Sequence, residues 1–160
     1  MDRTVKIAQA RFAVEDIIYR YAEALDAGDI ESVAALFEKG TLLLPDGREL
    51  EGPKAVFENY RDLIYFYGAD GQQRPYERLV TTPMTRHVTT NLRCEIDNDV
   101  RTVAAFSYFT LYQQNGDRID LIAGGRYQDH FARDLSGWHI TSRTFQIEQQ
   151  GDMSRHLKTA

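Results

Sequence analysis

Residues 5–26, VKIAQARFAVEDIIYRYAEALD, place apolar side chains at Val14, Ile17, Ile18, Tyr21, Ala22 and Leu25. That spacing predicts an amphipathic helix, with no Gly or Pro inside it and Gly28 as its stop. A second, shorter helix is predicted over 29–37, DIESVAALF, where Asp29 can cap and Val33, Leu36 and Phe37 form the buried side. Residues 41–44, TLLL, suggest a short strand ended by a PDG turn. A third helix is expected over 52–68, with Pro53 in its first turn and a stripe of Val56, Phe57, Tyr60, Leu63 and Ile64.

Beyond residue 84 the period falls to two. Strands are predicted over 85–96, 101–113, 119–131 and 138–148, joined by the turn sequences DND, NGD and DLSG. Connectors that short make sequential strands antiparallel, because a parallel crossover needs a dozen or more residues. Helices followed by a meander imply an α+β fold, with three N-terminal helices packed on one face of a curved antiparallel sheet. One domain is expected over 1–150. The longest irregular stretch, 69–84, has the length of a functional or mobile loop, and a polar tail over 151–160 is expected to fray.

Composition narrows the function classes. The chain is 160 residues long, enough for one domain with a real core, and is 42% hydrophobic and 27% charged. A net charge of −5 with no basic run argues against a nucleic-acid partner. No apolar run approaches the roughly 20 residues of a membrane span, and the N-terminus lacks the apolar core of a signal peptide, so the cytoplasm is the expected location. Cys94 is the single cysteine, which rules out an intrachain disulfide. HExxH, CxxC, Walker, GxGxxG and G-x-S-x-G motifs are all missing. The four histidines show no zinc-ligand spacing, so neither a metal nor a cofactor is expected. An acid–base site is what these omissions leave.

Three residues are candidates for such a site. His87, in TRHVTTN, alternates with Thr85, Thr89, Asn91, Arg93 and Glu95, opposite Val88, Thr90, Leu92, Cys94 and Ile96. Alternation marks the His87 face as the wetter one, which is solvent in an open sheet but a pocket lining in a strongly curved one. Asp26 lies on the apolar stripe of the first helix, one turn after Ala22, where a carboxylate needs a partner. It can bond turn amides or be available for chemistry, since Asp29 already serves as a cap. Arg143, in GWHITSRTF, can be a rim ion pair or an anion binder. Gly124 and Gly125 mark a bend or bulge.

Taken in order, IIYRYAEALDAGDIESVAALF, EGPKAVF, TRHVTTNLRCEI, GGRYQDHF and GWHITSRT resemble the SnoaL-like branch of the nuclear transport factor 2-like superfamily, from about residue 10 to 148. The resemblance implies a cone-shaped, cystatin-like α+β barrel. It implies a catalytic Asp–His dyad at Asp26 and His87, with Arg143 as an accompanying cation. Tyr21 and Tyr127 correspond to substrate-binding positions, and Asn91 on the His87 face is a further substrate-binding candidate. Scytalone dehydratase in this group carries a second pocket histidine on the strand after the dyad histidine; residues 101–113 contain none.

The expected function is that of a cofactor-independent lyase, dehydratase- or dehydrohalogenase-like, acting on a small hydrophobic cyclic or aromatic compound. Cyclisation or double-bond isomerisation by the same dyad is one alternative. A non-catalytic binding or accessory domain is another. A homodimer or homotrimer is expected, with Val88, Leu92 and Ile96 covered in the interface.

Overall fold

The computed structural model describes residues 2–159. Helix α1 (Arg3–Asp26) begins at Asp2, whose side chain accepts from Thr4 N, and buries Ala10, Val14, Ile17, Ile18, Tyr21, Ala22 and Leu25. Gly28 follows with φ +70°, and a Cβ there would meet the carbonyl oxygen of Thr81, so only glycine fits this turn. Helix α2 (Ile30–Ala35) is capped by Asp29, whose carboxylate accepts from Ser32 N.

Strands β1 (Thr41–Leu43) and β2 (Glu49–Glu51) form a hairpin that leads into helix α3 (Gly52–Leu63). That helix stops five residues earlier than its apolar stripe predicts. Ile64 is extended, and the chain turns so that Tyr65 N donates to His156 O and Tyr67 N to Thr82 O. The aromatic run thereby becomes strand β3 (Phe66–Tyr67), paired with β4 (Gln73–Arg74). Period alone cannot separate a buried helix end from a short buried strand.

The four long strands follow as β5 (Thr85–Ile96), β6 (Thr102–Asn115), β7 (Arg118–Asp134) and β8 (Gly137–Gln150). They pair antiparallel in sequence order, as their turns require. The sheet as a whole is mixed, however, with the order β2-β1-β8-β7-β6-β5, because β1 lies parallel to β8. A turn sequence reports only its own two strands, so this pairing across about a hundred residues leaves no local signature. The sheet is also open rather than closed into a barrel, with β2 and β5 at its edges. Its curvature has a visible source in β7, where the register shifts at Gly124 and Gly125. A Cβ on Gly125 would overlap the carbonyl oxygen of Gln146.

Two segments depart from the expectation of loose chain. Residues 75–82 fold against α2: Arg78 forms a two-pronged pair with Asp29, and Leu79 N donates to Gly28 O. The tail also docks. Gly151 N donates to Ile122 O and Lys158 N to Leu63 O, while Gln113 and Tyr67 both donate to Arg155 O. Met153 and His156 are buried, so the tail packs against the body of the fold instead of fraying.

Candidate active site

Asp26 ends α1, where the helix dipole presents its negative pole and disfavours a carboxylate. Strand β5 compensates with three donors. Thr85 Oγ1 donates to Oδ1 at 2.8 Å, and His87 N donates to Oδ2 at 2.7 Å. The ring of His87 completes the set, with Nδ1 2.6 Å from Asp26 Oδ1. Burial pushes the Asp26 pKa upward, but the His87 and Thr85 hydrogen bonds outweigh it and hold the group below the usual carboxylate range. Asp26 is therefore an anion at neutral pH. An anion at that distance selects the tautomer of His87 with its proton on Nδ1, leaving the Nε2 lone pair free.

A bulge decides which way His87 faces. Across from β6, Thr90 pairs with Tyr108 and Arg93 with Phe106, so Asn91 and Leu92 together oppose Ser107. Asn91 takes φ +56°, a left-handed conformation that Asn tolerates better than most residues. One extra residue reverses the alternation. Thr85, His87 and Thr89 turn inward before the bulge, and Leu92, Cys94 and Ile96 turn inward after it. The uninterrupted two-face pattern expected from sequence is thus corrected: Leu92 and Ile96 join the core side, and of that set only Val88 remains available on the outside.

His87 opens into a cavity of about 250 Å³. Its walls are largely apolar, from Leu25, Leu63, Ile64, Phe109, Leu111, Phe145 and Ile147, with Met153 and Leu157 supplied by the tail. Asp46 and Arg48, on the β1–β2 turn, also contribute. Apart from Asp46, Arg48 and Thr159, the polar residues of the wall are Tyr21, Tyr60, Tyr127, His87 and His156. Tyr21 and Tyr60 share a short hydrogen bond between their hydroxyls. Burial raises the pKa of all three tyrosines, so they remain protonated and able to donate.

Arg143 stands behind this wall and is fully buried. Its guanidinium makes two 2.7 Å hydrogen bonds to Asp129, also fully buried. It lies 4.1 Å from the ring centroids of both Tyr21 and Tyr127. Burial opposes its charge, but Asp129 prevails and raises its pKa further. The cation thus acts on the pocket through the two tyrosines and is not itself part of the wall.

The structure brings together Asp26, His87, Tyr21 and Tyr127. It does not bring Asn91, which is exposed in an outer groove with Arg93, Tyr108 and Arg126. Asn91 is accordingly withdrawn from the substrate-binding set: the same bulge that turns His87 inward turns Asn91 out. The aromatic run 65–67 and Tyr76 lie outside the lining of this cavity, Tyr76 packing edge-on against Phe57 and Phe66. Tyr60 and His156 are additions. Tyr60 was legible only as part of a helix stripe, and nothing in the polar tail marked His156. Among the described residues no group of three or more His, Cys, Asp or Glu side chains could hold a metal ion, and no helix is long and apolar enough to cross a membrane.

Residues 7–144 match the SnoaL-like domain. The chain belongs to the SnoaL-like family. Solved structures of the same fold include a Mycobacterium tuberculosis protein of unknown function, at 20% identity and a TM-score of 0.70 over 93% of this chain and 78% of that one. A nuclear transport factor 2-like protein with a cystatin-like fold, from Novosphingobium aromaticivorans, gives 16% identity and a TM-score of 0.70, covering 95% and 90% of the two chains. A candidate scytalone dehydratase from the same organism gives 18% identity and a TM-score of 0.67, covering 93% and 91%. At these identities the likeness speaks for the fold alone. No curated protein matches the sequence.

Proposed function

We propose that this SnoaL-like protein is a cofactor-independent acid–base enzyme, and that its reaction is a β-elimination of the dehydratase or dehydrohalogenase type on a small, largely apolar cyclic or aromatic compound. The observation that carries this reading is the Asp26–His87 contact of 2.6 Å at the wall of an apolar cavity. His87 Nε2 takes a proton from a substrate carbon, the C–H electron pair becomes a C=C bond, and the leaving group departs, either as halide or as hydroxide that becomes water with the proton returned by the His87 imidazolium. Asp26 fixes the tautomer and stabilises the imidazolium as it forms. Of the paired Tyr21 and Tyr60 hydroxyls, one donates to the other, and the one that accepts is free to donate its own proton to a carbonyl or departing oxygen, where developing negative charge strengthens the hydrogen bond. Arg143 is a positioning residue here, holding the Tyr21 and Tyr127 rings and lending them its field.

The experiment addresses the proton transfer shared by every version of this chemistry. In D₂O, the protein is mixed with 2-tetralone, a bicyclic ketone with acidic C–H bonds, and loss of the C–H signals is followed by NMR. Exchange faster than buffer is expected from the wild type and is expected to vanish in His87→Ala with the circular-dichroism spectrum intact. Wild-type exchange no faster than buffer, or exchange that survives in His87→Ala, would remove His87 from the role of base.

A further inference from the structure

One pocket group has no part in the proton transfer above. His156 comes from the tail, beyond the last strand, yet it is 95% buried and forms part of the same wall as His87. Its backbone is tied on both sides. His156 O accepts from Tyr65 N and His156 N donates to Met153 O, while the preceding carbonyl, Arg155 O, accepts from Gln113 and Tyr67. His156 lines the cavity along with Leu63, Ile64, Met153 and Leu157, and an apolar side chain would be less costly there, because the ring's Nδ1 is buried without a partner among the described residues. A turn about the Cβ–Cγ bond exchanges the nitrogen and carbon edges of the ring, so either edge can be presented to the cavity. A buried imidazole fixed at a cavity wall with an unmet hydrogen bond is suited to a polar atom that arrives with a ligand.

We propose that His156 is a second substrate-contacting residue of this pocket, hydrogen-bonding an oxygen of a small, otherwise apolar substrate while His87 faces its C–H. The assignment rests on the reading of the pocket given above and narrows its substrate class to cyclic alcohols, phenols and ketones. Burial pulls the pKa of His156 down to about 3. The ring is therefore neutral, with one nitrogen donating and the other accepting, which suits a hydroxyl as well as a carbonyl. Its position also gives the tail a function, since residues 151–159 supply this contact along with part of the apolar wall.

Two probes that differ by one hydroxyl test the proposal. Binding of 2-naphthol and naphthalene is measured for the wild type, His156→Phe and His156→Asn, and ¹⁵N-histidine spectra are recorded with each probe. The wild type is expected to prefer 2-naphthol by about three- to tenfold, the worth of one hydrogen bond in such a site. That preference should fall to about one in His156→Phe and partly return in His156→Asn. The His156 ¹⁵N shifts should move with 2-naphthol and not with naphthalene, a readout that stands even where the Phe variant fails to fold. An unchanged preference in His156→Phe, still His156 shifts, or no binding of either probe at millimolar concentration would overturn the assignment. Should His87→Phe alone abolish the preference, the hydroxyl belongs to the dyad and only the His156 proposal falls. Should 2-tetralone exchange fail while the preference follows His156, the dyad reading falls and this contact stands.

Discussion

Replacing Asp26 with Asn changes the charge of one side chain and almost nothing of its shape, which makes it the sharpest probe of the dyad. Both carboxylate oxygens now accept, from Thr85 Oγ1, His87 N and the His87 ring. An amide has one accepting oxygen. The main-chain N–H of His87 cannot turn away, so that oxygen goes to the position facing His87 N, and the amide NH₂ faces Thr85 and the ring. Thr85 can rotate its hydroxyl to accept. The ring can adapt only by accepting at Nδ1, which moves its proton to Nε2, the atom that must be free to act as base. The expected loss is about a thousand- to ten-thousandfold in exchange rate, roughly 4–5.5 kcal/mol of barrier, as when the orienting carboxylate of a Ser-His-Asp triad is amidated. Stability should change less, by about 1–3 kcal/mol, because lost charge-assisted hydrogen bonds are offset by relief of carboxylate burial. Its pH dependence has a defined sign. The pKa of Asp26 is depressed in the folded state, so its contribution is present above the ordinary carboxylate range and is lost as pH falls through the folded value. Any wild-type advantage over Asp26→Asn should therefore narrow below about pH 4. The assay pairs 2-tetralone exchange with ¹⁵N spectra of His87, whose two nitrogens report the tautomer. Exchange within tenfold of wild type, or an unchanged His87 tautomer, would refute the reasoning.

Other perturbations test separate parts of the structure. Arg143→Met leaves Asp129 charged and buried and should cost about 3–5 kcal/mol in urea unfolding, whereas Arg143→Met with Asp129→Leu should recover most of it; equal losses in both would show that the pair matters for more than charge balance. Asn91→Gly should leave exchange unchanged and Asn91→Val should destabilise by about 1–2 kcal/mol, since a β-branched residue resists φ +56°; a rate change in the Gly variant would return Asn91 to the substrate site. With His156 titrating near 3 in the folded state and near the ordinary histidine value when unfolded, its contribution is full above about pH 6.5 and declines as pH falls. His156→Phe should thus remove up to about 1.4 kcal/mol per pH unit from the slope of stability between pH 6 and 4, and an unaltered slope would refute its burial as a neutral ring. The exposed Val88, Tyr108 and Tyr112 on the outer face of β5 and β6 fit an interface in a homodimer or homotrimer; sedimentation of the wild type as an 18.4 kDa monomer at micromolar concentration would refute it.

Legibility in the sequence followed the range of each signal. The α1 stripe and the four long strands were readable because their periods are local and their turns are chemically explicit. Asp26 was readable for the same reason: a carboxylate on an apolar stripe conflicts with burial, and such conflicts concentrate where structure serves chemistry. His87 was not readable by pattern, and the cause is a single residue. Alternation assumes that every residue advances the strand by one face, whereas Asn91 and Leu92 share one place opposite Ser107. Pattern therefore carried the His87 face across the bulge and grouped it with Arg93 and Glu95, which are exposed. The one local hint was an Asn amid β-formers, a residue that tolerates positive φ, but Asn is too common in strands and turns to identify a bulge alone. The tail failed for the opposite reason. Its composition is polar and its hydrogen bonds run to Ile122, Leu63 and Tyr65, partners far away in sequence. No period within ten residues could announce them. A pocket assembled from α1, α3, the sheet and the tail is consequently half legible: Asp26 stands out as a local anomaly, while the inward turn of His87 and the place of His156 appear only once the chain has closed on itself.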